Sequence, residues 1–208
     1  NNRVIWPLKP VHAISSFYSI YNNITEEFNP QDKNFVNKQY GIKTLEMMKT
    51  ISVHLIDDCF IMDPIKTAEI LSSTDDFYYT PYTYGFSNYS RNNYRKNLLK
   101  YGNVLDLLNK GPYGTQLGGT GIAISNKSNH KDFALEYSFW IAGAECQKTF
   151  FYNSGGQPGN SVAWDNELIN NESNNFFSNT RLTLNKAWVR PRHNGYMKFQ
   201  DESGNIIN

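Results

Sequence analysis

Long stretches of helical periodicity recur along this chain, and between them stand only short β-prone runs, each cut off by proline or glycine. In residues 36–55, Ile42, Leu45, Met48, Ile51 and Leu55 fall at helical spacing. Lys43, Glu46 and Lys49 take the wet side, which predicts a long amphipathic helix with His54 near its end. "WPLKPVHAISSFYSIYNN" predicts a helix over 10–21, with Pro10 in the first turn and Val11, Ile14, Phe17 or Tyr18, and Tyr21 as its stripe. In "MDPIKTAEILSS", Asp63 suits an N-cap and Pro64 a first helical position. "SNHKDFALEYSFWIAGAEC" predicts a helix capped by Asn129 that buries Phe133, Tyr137, Ile141 and Ala144. "VLDLLN" predicts a short helix, and two more are expected over 162–170 and 174–184. Strands are expected only over 77–80, before Pro81, and over 122–124. Residues 188–200, "WVRPRHNGYMKFQ", are too broken to form one regular element. Helices that separate few, short strands argue for α/β organisation, with crossovers feeding a mixed sheet.

At 208 residues the chain has room for one large domain or two small ones. Lysine plus arginine (20) nearly cancels aspartate plus glutamate (19), so the electrostatic footprint of a nucleic-acid binder is missing. The apolar runs are shorter than the roughly 20 residues of a membrane span, and no charged-then-apolar leader opens the chain. Cys59 and Cys146 form no C-x-x-C; a single disulfide or two separate thiols both remain open. Tyrosine supplies 14 residues, many beside asparagine or glycine. A tyrosine in a polar loop offers a flat apolar face and a hydroxyl, which suits sugar rings or protein surfaces.

The segment "QLGGTGIAIS", residues 116–125, tests several chemistries. A dinucleotide fingerprint needs a third glycine where Ile124 stands, and a phosphate loop needs a following Gly-Lys-Ser/Thr; neither is present. Two readings survive: amides at Gly118 and Gly119 that approach a neutral polar ligand, or a tight turn. No G-x-S-x-G elbow occurs, and His12, His54, His130 and His193 lack metal-ligand spacing. Adjacent carboxylates such as Asp57 with Asp58, Asp75 with Asp76 and Glu26 with Glu27 do not converge on one point. The residues therefore indicate no catalytic group, no metal and no cofactor.

Read in order, "LGGTGIAIS", "YNSGGQPGNSVAW" and "VRPRHNGYMKFQD", together with "WPL" at Trp6 and "YGFSNY" at Tyr84, resemble the extracellular solute-binding proteins of ABC transporters, the family of sugar and maltodextrin binders. The resemblance implies a periplasmic-binding-protein-like (type II) two-lobed α/β fold, here a partial chain dominated by one lobe, helix-rich with short strands. Residues 1–115 would be a second-lobe segment, 116–160 a hinge crossing and first-lobe segment, and 161–208 returning second-lobe helices with a cleft segment. Because residue 1 matches a point well inside the family pattern, residues 116–160 would lack their usual sheet. They would then expose apolar surface, fold back, or pair with another chain, self-association of the truncated chain included.

By the same resemblance the ligand would be a carbohydrate held by Trp6, Tyr82, Tyr84, Asn88, Gly118, Gly119, Thr120, Gly156, Gln157, Arg192 and Tyr196, and passed to an ABC transporter permease. Tyr84 would be the stacking aromatic, the glycine amides would face the cleft, and residues 155–159 would form a rim loop. Trp6 serves equally as core, Arg192 as a salt-bridge partner and Tyr82 as a surface aromatic. The protein would be extracellular, as a cell-surface lipoprotein or in a periplasm, with no membrane span of its own, no nucleic-acid partner, no cofactor and no enzymatic activity. A glycan-active enzyme would instead need two carboxyls facing each other across a cleft. A protein-interaction module would need a flat aromatic patch.

Overall fold

The structure is a computed structural model that describes residues 3–25, 29, 36–109 and 111–208; Glu26 and Glu27 lie outside these. Helix α1 (Pro10–Ile24) begins at Pro10 as the sequence predicts and runs one turn further than expected. It lies against α2 (Lys38–Ser52) and against α9 (Tyr196–Ile207), which closes the chain. Every α1 residue from Ala13 onward is buried, serines and asparagines included. A helix so enclosed must satisfy its polar groups within the protein. Ser15 Oγ donates to Val11 O (2.9 Å), Ser19 Oγ donates to Ser15 O (2.9 Å), and Ser16 Oγ accepts from the Trp6 indole (3.1 Å).

The close passage of α9 over the start of α1 depends on one glycine: a Cβ at Gly204 would sit 2.4 Å from Pro10 O. At the other end of α1, Asn22 Nδ2 donates to Gly114 O, Asn23 Nδ2 donates to Tyr113 O, and Asn23 Oδ1 accepts from Leu107 N. These bonds correct the helix expected over 104–109. The Leu107 amide, which would close the first turn of such a helix onto residue 103, goes instead to Asn23 Oδ1, so a tertiary partner has taken that donor; the Val104 amide, which has no partner inside a helix that starts there, is held by Thr183 Oγ1.

In α2, Asn37 caps the first turn by accepting from Gln39 N and Tyr40 N. Met48 and Leu55 are buried, but Ile42 and Leu45 stay exposed, so only part of the expected stripe meets the core. Helix α3 (Pro64–Ser73) starts as its sequence predicts, with Asp63 accepting from Lys66 N at 2.9 Å.

The expected sheet shrinks to two isolated parallel bridges among the described residues, Val4 with Tyr79 and Gln116 with Trp188. Residues 77–80 thus contribute one bridge rather than a strand, and 122–124 meet no β partner in the described structure. β-prone residues form a strand only where a second backbone completes the ladder. The molecule is helix-rich, and its α/β character is confined to those bridges.

Helix α4 (Lys131–Ala142) overturns another expectation. Its N-cap position is His130, no side chain caps it, and none of its residues is buried. Phe133 is 74% exposed and Tyr137 54%, whereas both were expected inside. Helix α5 (Ala144–Cys146) follows and runs into a π-turn over Gln147–Phe151.

The single helix expected over 162–170 is two, α6 (Ser161–Trp164) and α7 (Glu167–Glu172), because Asn166 restarts the chain as an N-cap that accepts from Ile169 N. Asn174 and Asn175 then turn through left-handed backbone into α8 (Phe176–Asn185). Residues 188–195 are irregular as read, but the stretch "YMKFQ" is the first part of α9.

Two apolar clusters result. The larger gathers Ile5, Trp6, α1, Met48, Leu55, Met62 and Tyr82, with Trp188 and Ile207 packed against it. The smaller gathers Tyr152, Ala163, Trp164, Ile169, Phe176 and Phe177. Cys59 and Cys146 are both buried and both free, which settles the disulfide question.

Candidate functional site

After the bridge at Tyr79, Pro81 ends the pairing, and the chain continues as an irregular ribbon into a 3-10 turn at Ser87–Ser90. This ribbon carries the aromatic residues of the site. Tyr82 turns inward onto Trp6, ring centroids 5.9 Å apart. Burial pushes its hydroxyl up to about 12.

Tyr84 is half-buried, and around it meet the residue-116 segment, the start of α1 and the start of α9. Its hydroxyl accepts from Gln116 Nε2 at 2.8 Å, and Gln116 is itself fixed by its bridge to Trp188. Gly118 comes so near the ring that a Cβ there would lie 2.9 Å from Cε1, so a side chain at 118 would displace the tyrosine. His12, in the first turn of α1, meets the ring edge-on at 6.2 Å. Burial lowers the pKa of His12 below its ordinary range, against the opposing pull of Asp63, while Lys9 adds to the lowering. Tyr196, at the start of α9, is buried; burial raises its pKa, with Arg190 opposing and the neighbouring Tyr84 adding to the rise.

A second group lies further along the ribbon. Gln157 accepts from Ser87 N at 2.7 Å through Oε1 and donates to Gly85 O at 3.3 Å through Nε2. Arg91 donates to Tyr152 O and Gly156 O. Several polar atoms here are buried without a hydrogen-bond partner: the hydroxyls of Tyr82, Ser87 and Tyr196 and the Asn88 Oδ1.

The residues singled out from the sequence therefore divide. Tyr84, Gly118 and Tyr196 come together, and Gly156 and Gln157 meet the same ribbon next to Asn88. Gly119 and Thr120 are exposed beyond Gly118, with open space around Gly119. Arg192 is exposed, beside the buried Pro191. Trp6 is 0% exposed and its indole N–H is taken by Ser16, so of its two readings the core one holds. Tyr82 is buried rather than a surface aromatic.

Three residues at the site carried no role in the sequence: His12, Arg91 and Gln116. Gln116 borders the glycine pair and Arg91 closely follows "YGFSNY", but no spacing links positions 12, 91 and 116. Among the described residues no three His, Cys, Asp or Glu side chains are grouped so as to hold a metal, and no helix is long and apolar enough to cross a membrane.

No protein-family pattern and no curated protein matches the chain. Among solved structures it is similar to maltose-bound MalE3 of T. maritima, with a TM-score of 0.74 and 13% identity, over 98% of this chain and 54% of that one. The chain thus spans about half the length of that neighbour. At this identity the likeness shows the fold alone: the chain has the fold of part of that maltose-bound protein.

Proposed function

We propose that this chain forms one wall of a carbohydrate-binding cleft and serves as the substrate-binding part of an ABC importer, exported from the cytoplasm and handing its ligand to a permease. The convergence on Tyr84 carries the reading. Elements distant in sequence place a ring, a glycine backbone and two polar side chains, Gln116 and His12, in one locality, in a fold shared with a maltose-bound protein. A pyranose presents an apolar C–H face and a rim of hydroxyls, and a ring beside amide and imidazole groups complements both.

Transport would follow from a shift between open and closed states that the permease reads, which requires the ligand to bind one state better than the other. Titration of maltose and a panel of mono- and oligosaccharides by calorimetry tests the proposal. Binding by the wild type, weakened at least 10-fold in Tyr84→Ala, or about 1.4 kcal/mol, is expected. No heat with any saccharide, or equal affinity in the variant, would remove the stacking role.

A further inference from the structure

Arg91 closes the Ser87–Ser90 turn with its guanidinium 3.9 Å from the centroid of the Tyr152 ring. Nη1 donates to Tyr152 O at 2.8 Å and Nη2 to Gly156 O at 2.7 Å. Both carbonyls belong to the end of the helical run through residue 153 and the glycine turn beyond it, where Tyr152 O already accepts from Gly155 N at 3.0 Å and keeps a second lone pair for the guanidinium, and where the helix dipole favours a cation. The turn is pressed flat: a Cβ at Gly156 would meet Phe151 ring atoms at 2.5 Å and Phe151 O at 2.6 Å. Gln157, the next residue, grips the backbone at Gly85 and Ser87. Residues 152–157 and 85–91 are thus tied by four hydrogen bonds and a cation–ring contact, although the bonded pairs stand 61 to 72 positions apart. Nε of Arg91 is buried without an acceptor, so the side chain works through its two Nη groups and its face.

We propose that Arg91 is a positioning residue, the fork that latches the 152–157 loop to the ribbon bearing Tyr84 and so fixes how the two sit against each other in the candidate wall. This rests on the carbohydrate reading above only for its effect on the ligand; the latch itself is a statement about the chain. Three features of arginine are needed at once: two donors at fixed separation, a flat face for the tyrosine, and a charge that tolerates partial burial. Lysine keeps the charge but is a single point, and cannot serve both carbonyls while stacking.

The test is Arg91→Lys, read by amide exchange at Ser87, whose acceptor is the Gln157 side chain, and at Gly156, which donates to Phe151 O. Exchange at both should quicken at least 10-fold while the amides of α1 stay unchanged, and maltose affinity should fall 3- to 10-fold with Tyr84, Gln116 and Gly118 intact. In Gln157→Ala, which retains Arg91, the Gly156 amide should remain protected. Unchanged exchange in Arg91→Lys overturns the latch, and so does loss of Gly156 protection in Gln157→Ala, because the hold would then belong to Gln157. Faster exchange with unaltered maltose affinity overturns the positioning role. A wild type that binds no saccharide would defeat the carbohydrate reading alone, since the exchange data decide the latch without ligand.

Discussion

Helices α1 and α4 have similar lengths, 15 and 12 residues, and both are rich in aromatic and aliphatic side chains. One is enclosed almost completely and the other buries nothing. The difference lies in what the chain folds onto each. α1 receives α2, α9 and the Ile5 to Leu8 segment; α4 touches little beyond residues 144–151. Phe133, Tyr137 and Trp140 share one side of α4, and Leu135 and Phe139 share another, which is the distribution of a helix enclosed by a larger core. The neighbour's own chain extends well beyond the matched part. A hydrophobic pattern states what a helix can bury; the cover has to come from elsewhere.

The contrast can be broken by substitution. The largest effect is expected at Trp6, which underlies both α1 and Tyr82: Trp6→Ala removes a fully buried ring and its bond to Ser16, at a cost of about 3–5 kcal/mol. Thermal unfolding would register that as a fall of roughly 10 °C in Tm. Gly204→Ala comes next. The methyl would collide with backbone rather than a movable side chain, so α9 must shift off α1 at about 1–3 kcal/mol, visible as faster amide exchange in both helices. Phe139→Ala sharpens the comparison from the other side. With the ring 71% exposed, denaturant unfolding should move by no more than about 0.5 kcal/mol. A loss there that rivalled Trp6→Ala would mean α4 is covered in solution.

Several local structures were legible in the residues themselves. Pro10 and the Asp63-Pro64 pair place helix starts because proline's fixed φ and a carboxylate acceptor act within one turn, whatever surrounds them. The order of short motifs pointed to the fold later found in the maltose-bound neighbour. Of the site, the glycine at 118 could be singled out by composition and Tyr84 by the family resemblance. Their contact could not, and neither could the roles of His12, Gln116 and Arg91, since each depends on elements tens of residues away.

The misreadings share one cause. Residues 104–109 have helical composition, yet Asn23 claims the Leu107 amide that the first turn would need. Residues 122–124 have strand composition without a partner strand. Trp6 has the chemistry of a sugar platform but lies beneath α1. Sequence by itself determined the helix starts at Pro10 and Pro64, the apolar stripes and the supply of rings and amides, because those follow from interactions within a few residues. Which stripe is covered, which amide is claimed and which ring is buried were decided only in the tertiary structure, where distant segments compete for the same donors and the same surface.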